Sequence, residues 1–130
     1  LQLYFLYLVL IKNLKVMATR STISVVQEDN SVKSVYCHFD GYISNGVGEW
    51  LKSYFNSYKL ANNAISEGDI SSIHGESIDS YYSKRGEEID IEYFSNLESF
   101  LKNKDKQEFN YLFIDNEWQV ALIDNDYKVY

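Results

Sequence analysis

Thr22-Ile23-Ser24-Val25-Val26, then Glu28-Asp29-Asn30-Ser31, then Val32-Lys33-Ser34-Val35-Tyr36-Cys37-His38: this stretch decides the fold. Ile23 and Val25 fall on one side and Ser24 and Val26 on the other. That is the period-two pattern of a strand, whose successive side chains point to opposite faces. The polar cluster at 28–31 forms a turn, and the run from Val32 to His38 resumes with Val and Tyr, so the stretch predicts a β-hairpin.

Working outward, residues 39–46 read as a loop, because Asp40-Gly41 and Asn45-Gly46 are both turn dipeptides that tolerate positive φ. Val47, Trp50, Leu51, Tyr54 and Phe55 repeat at three and four, which predicts a helix resting on the sheet. Ser57 can cap a second helix from Tyr58 to about Glu67, stopped by Gly68. Residues 69–75 read as irregular and 78–83 as a strand. Ile89, Ile91 and Tyr93 alternate with Asp90 and Glu92 as another strand or extended piece. Ser95 and Glu98 match a capping box before Leu97, Phe100 and Leu101, a brief helix ending near Asn103. Residues 109–114 and 118–123, joined by Asp115-Asn116-Glu117, form a second hairpin. These elements predict a single α+β domain over residues 17–130: one antiparallel sheet of four to six strands with two or three short helices on one face.

The first sixteen residues, LQLYFLYLVLIKNLKV, obey different statistics: twelve are apolar and none is acidic. The apolar run is too short for a transmembrane helix, which needs about twenty residues. A secretory signal would have its basic residues before the apolar stretch, whereas Lys12 and Lys15 follow it. The reading adopted is that residues 1–16 are an upstream mis-start or leader outside the fold and that Met17, the only Met, opens the protein.

The whole chain has 130 residues, twelve basic and nineteen acidic, for a net charge of -7 and a pI near 4.7. Without the first sixteen residues the net charge is -9. Such acidity excludes a surface built to grip nucleic-acid phosphates, which takes clustered Lys and Arg. A lone Cys excludes an internal disulfide framework and a Cys-based zinc site and fits a reducing compartment.

Cys37-His38-x-Asp40 invites a nucleophile with its base and orienter. Adjacent strand residues face opposite ways, so Cys37 and His38 form no dyad if the strand holds, and Cys37 reads as a buried structural residue. His38 and Asp40 share a face if the strand extends that far. His38, Asp40 and His74 lack any recognised metal-ligand spacing, and no nucleotide-binding glycine motif or nucleophile elbow occurs. The chain is therefore expected to be no enzyme, with no cofactor and no metal. The only two Arg, Arg20 and Arg85, offer rigid forks of donors suited to phosphate. They are candidates to line an anion pocket with aromatic walls from Tyr42, Tyr81 or Tyr82, although ordinary surface ion pairs would also use them.

The residues Met17-Ala18-Thr19-Arg20-Ser21-Thr22 and Tyr36-Cys37-His38-Phe39-Asp40-Gly41-Tyr42, with weaker matches at Gly68-Asp69-Ile70-Ser71-Ser72, Arg85-Gly86-Glu87, Tyr111-Leu112-Phe113 and Trp118, resemble a family of small tailed-phage and prophage proteins that begin MATRST and carry YCHxDGY. The pattern is similar to that of the Thoeris anti-defence sponges, which sequester the cyclic ADP-ribose-type signal of bacterial TIR proteins. The resemblance implies an oligomeric, non-catalytic, nucleotide-sequestering anti-defence protein of the host bacterial cytoplasm, without membrane or nucleic-acid partners. It carries over no pocket residue individually. The chain departs from the pattern after Tyr42, at Ile43-Ser44-Asn45-Gly46-Val47-Gly48, and before Arg85, at Tyr81-Tyr82-Ser83-Lys84. The candidate ligand residues are thus Arg20, His38, Asp40, Tyr42 and Arg85. The charge allows a different class, an acidic phage inhibitor docked on a basic host protein in the manner of a DNA mimic.

Overall fold

The structure, a computed structural model, describes residues 18–81, 86 and 88–130. The leader expected at 1–16, Met17, and the candidates Tyr82 and Arg85 lie outside the described residues. The hairpin is present as β1 (Ser21–Val26) and β2 (Val32–Phe39), with Ile23 opposite Val35 and Val25 opposite Lys33. Asn30 closes its turn at φ 69, and its amide donates to the Gln27 carbonyl.

Two helices follow, α1 (Val47–Tyr54) and α2 (Tyr58–Ile65). The Ser57 side chain caps α2 by accepting from the Leu60 amide, and Gly68, at φ +79, takes the left-handed position past its end. Gly48 answers a different need. A Cβ there would lie 2.8 Å from Ile43 Cα and 2.8 Å from the Tyr111 hydroxyl, so the close approach of α1 to its own entry loop requires glycine.

The rest of the chain adds β3 (Ile70–His74), β4 (Ser77–Ser80), β5 (Glu92–Phe94), α3 (Leu97–Asn103), β6 (Phe109–Ile114), β7 (Glu117–Leu122) and β8 (Lys128–Val129). The expected antiparallel sheet of four to six strands is instead, among the described residues, a mixed sheet of eight, in the order β4-β3-β2-β1-β6-β7-β8 with β5 also paired to β2. β1 runs parallel to β6 and β2 parallel to β3. Parallel neighbours need a crossover, and α1 and α2 supply the one between β2 and β3. Residues 70–74 are accordingly a strand where an irregular segment was expected.

The helices also do not share one face. Side chains of α1 and α2, among them Leu51, Ala61 and Ile65, pack with Ile23, Val25, Val35 and Cys37. Phe100 of α3 packs on the opposite face with Val32, Phe94 and Leu112. Because β1 has helices over both faces and strands on both edges, even its polar positions are buried: Ser24 donates to Ser34 at 2.7 Å, and Thr22 to Asn110 at 2.9 Å. The α3 cap is Asn96, accepting from the Ser99 amide, where Ser95 was expected. No helix among the described residues is long and apolar enough to cross a membrane.

Candidate functional site

β1 and β2 pair with Thr22 opposite Tyr36 and Ser21 opposite Cys37. Continuing that register places Arg20 across from His38. Strand alternation then sends Arg20, Thr22, Tyr36 and His38 to the α3 face and Cys37 to the other. The Tyr36 hydroxyl and His38 Nδ1 are 2.7 Å apart and share a hydrogen bond. When the phenol donates, the proton of the neutral imidazole sits on Nε2, which is left free to donate outward. The Tyr81 ring lies edge-on to His38, with centroids 6.2 Å apart. Burial pushes the Tyr36 phenol above its ordinary pKa, and the charge of nearby Arg20 opposes that rise. Arg20 itself is exposed and makes no ion pair among the described residues.

The structure thus brings Arg20 and His38 together and adds Tyr36 and Tyr81. Asp40 and Tyr42 do not join them. Asp40 follows the end of β2, is exposed, and uses its carbonyl to accept the Val47 amide that opens α1. Tyr42 is half exposed and packs edge-on to Phe109 at 5.8 Å. The shared face expected for His38 and Asp40 fails because β2 stops at Phe39 and the chain turns into the tight Gly41 loop.

On the far side of Tyr36 lies a cavity of about 380 Å³, lined by Ser34, Tyr36, Asp69, Asp90, Glu92 and Lys104. The Asp69 carboxylate accepts the Tyr36 backbone amide at 2.9 Å; burial raises its pKa, against the lowering effect of that hydrogen bond. Lys104 pairs with Glu92 at 2.5 Å. The neighbourhood therefore divides into a donor end at Arg20 and His38 and an acceptor-rich end at Asp69, Asp90 and Glu92. Among the described residues no group of His, Cys, Asp and Glu could hold a metal ion.

Sequence reasoning missed Tyr36 and the Asp69 cavity. The signal for Tyr36 was available, since it sits two residues before His38 on one strand and must share its face. Asp69 reaches the site through β3, whose parallel pairing no local pattern announces.

Cys37 lies fully buried on the opposite face, its thiol donating to the Phe39 carbonyl at 3.2 Å. Burial pushes its pKa from 9.0 to about 12, the reverse of what an activated nucleophile needs. At pH 8 native Cys37 will resist a thiol reagent and react fully once urea unfolds the chain; equal rates in the two states would contradict its burial. The unfolded chain gains free energy by losing the thiol proton above pH 9, while the folded chain keeps it until about 12. The Cys37 contribution to stability is therefore intact below pH 9 and lost as pH rises towards 12, and Cys37→Ala should flatten the stability profile in that window.

Searches of known protein families, of curated proteins and of solved structures find no match to the chain.

Proposed function

We propose that this protein binds and sequesters a small anionic nucleotide, of the cyclic ADP-ribose type, without chemistry upon it. The observation that carries the reading is the convergence of Arg20 and His38 on one sheet face, ringed by Tyr36 and Tyr81. A guanidinium fork and an imidazole N–H are donors suited to phosphate oxygens, and the aromatic rings can stack on a base. The carboxylates of Asp69, Asp90 and Glu92 suit ribose hydroxyls, which leaves the diphosphate to the Arg20 and His38 end. The likeness to phage proteins supplies the setting, an anti-defence protein in an infected bacterium, with the ligand held within each protomer or between protomers of an oligomer.

Sequestration asks nothing of a nucleophile, and Cys37 is turned away from the site. The competing reading, an acidic inhibitor docked on a basic host protein, calls for carboxylates in ranks across a surface. Asp69, Asp90 and Glu92 instead crowd one cavity with Lys104 among them.

Thermal-shift screening of the full chain with cyclic ADP-ribose isomers tests the proposal. A ligand at one hundred times its dissociation constant stabilises the fold by about 2.7 kcal/mol, a shift well above the noise of the method. Arg20→Ala removes a charge-assisted contact and should weaken binding roughly tenfold or more. No shift with any isomer, or unchanged affinity in both Arg20→Ala and His38→Ala, would overturn the assignment.

A further inference from the structure

A second cavity, of about 510 Å³, opens on the other face of the sheet between α2 and β2. Its described lining contains Lys33 and Lys59 and no carboxylate, in a chain with nineteen acids. Lys33 alternates with Val35 along β2 and so projects towards α2, and Lys59 stands in the first turn of that helix. Neither makes an ion pair among the described residues; hydrogen bonds from Ser31 hold the Asp29 carboxyl, on the hairpin turn, below its ordinary pKa, and the Lys33 charge adds to that effect.

The polar groups between the two lysines are held in place. Gln27 Nε2 donates to the Val25 carbonyl at 3.0 Å and to Asn62 Oδ1 at 2.8 Å. The Tyr58 hydroxyl donates to Gln27 Oε1 at 3.2 Å and accepts the Glu28 amide at 3.3 Å, which fixes the ring at the cavity wall. Asn62 Nδ2 spends one hydrogen on the Tyr58 carbonyl at 3.0 Å and keeps the other. The exposed Asn63 side-chain amide has no partner among the described residues, so it offers both a donor and an acceptor. Ile65 and Ile91 add apolar surface.

We propose that this groove is a separate binding site for a small phosphate-bearing heterocycle, with a nucleoside monophosphate as its chemical class. The two ammonium groups supply point charges for one phosphate, the role in which Lys is used where Arg supplies a fork. The amides of Asn62 and Asn63 match the paired donor and acceptor edge of a purine, and the Tyr58 ring flanks it. The volume falls within the range of small-ligand sites. Two lysines, with Asp29 at the rim, serve one phosphate and not a nucleic-acid chain. The groove lies on the opposite sheet face from His38 and about five strand residues away, roughly 17 Å, so it is independent of the Arg20 and His38 site.

The test is a titration of the isotopically labelled full chain with adenosine monophosphate, reading the side-chain amide resonances of Gln27, Asn62 and Asn63, with inorganic phosphate and adenosine as parallel probes. The expected result is saturable shifts of those amides with the monophosphate, weaker shifts with either fragment, and an affinity that falls about tenfold in Lys33→Gln or Lys59→Gln and stays unchanged in Arg20→Ala. Three results would overturn it: no shift of those amides at millimolar nucleotide, equal affinity for phosphate alone, or binding indifferent to both lysines. Loss on Arg20→Ala alone would assign the nucleotide to the His38 face instead. Both lysine variants sit on half-buried or exposed positions, so folding is checked by their unchanged backbone spectra.

Discussion

Trp118→Ala will lower the unfolding free energy by about 3–5 kcal/mol, the range for emptying a large aromatic site in a packed core. Trp118 is 2% exposed, and its ring lies 5.2 Å from that of Phe113. Its indole N–H also donates to the Phe55 carbonyl at 3.0 Å, which ties β7 to the residue that ends α1. Truncation therefore leaves both a cavity and an orphaned carbonyl, and the two losses add. Out of a stability of roughly 5–15 kcal/mol expected for a domain, that is enough to bring the chain near its folding threshold. Urea denaturation followed by circular dichroism measures it. Trp118→Phe restores most of the packing without the hydrogen bond and should recover about half of the loss. A midpoint in the alanine variant equal to that of the parent would contradict the placement of this ring.

Asn110→Leu should cost a comparable amount, about 3–5 kcal/mol, although the replacement is similar in size and more apolar. Asn110 is fully buried in β6, and all of its hydrogen-bonding capacity is used. Oδ1 accepts from the Thr22 hydroxyl at 2.9 Å and the Gln107 amide at 2.9 Å, while Nδ2 donates to the Gln107 carbonyl at 2.8 Å and the Ala121 carbonyl at 3.0 Å. One side chain thus joins β1, β7 and the segment entering β6. Leucine fills the volume but strands four polar groups, of which the Thr22 hydroxyl and the Ala121 carbonyl are buried, and each buried stranded group costs more than a made hydrogen bond contributes. Thr22→Val removes a single partner and should cost about 1 kcal/mol. If Asn110→Leu proved neutral in the same urea experiment, the buried network would not be present as described.

Local chemistry was legible in the sequence and long-range pairing was not. The hairpin of β1 and β2 follows from alternation and a turn at Asn30, and α2 from a Ser57 cap and a Gly68 stop. The hairpin of β6 and β7 follows from Asp115 and Asn116, which sit at φ 52 and 64 as a two-residue turn requires. Each of these signals acts over a few residues. The pairing of Ser21 with Phe109 joins segments some ninety residues apart, and nothing in either segment names the other. The alternation of β1 also misleads, because Ser24 and Thr22 look solvent-facing by residue type but are buried and satisfied by Ser34 and Asn110. The apolar stripe of α3 was visible, but its side of the sheet depends on Val32, Phe94 and Leu112 forming a second core.

The candidate site was legible in the same measure. Arg20 and His38 were found by type and fall together because strand register dictates it. Asp40 and Tyr42 were chosen by proximity in sequence, which ceases to mean proximity in space once β2 ends at Phe39. The Lys33 groove escaped because its parts come from the turn after β1, from β2, from α2 and from residue 91, and a lysine on a strand looks like a solvated one until the helix above it is in place.

We propose that Arg20 and His38 hold a small anionic nucleotide and release it unchanged. Calorimetric titration of the full chain with cyclic ADP-ribose, followed by mass analysis of the ligand freed on denaturation, tests it most directly. The predicted result is saturable binding that Arg20→Ala weakens about tenfold, with the nucleotide recovered intact. No binding heat with the parent protein, or a nucleotide recovered hydrolysed, would contradict it.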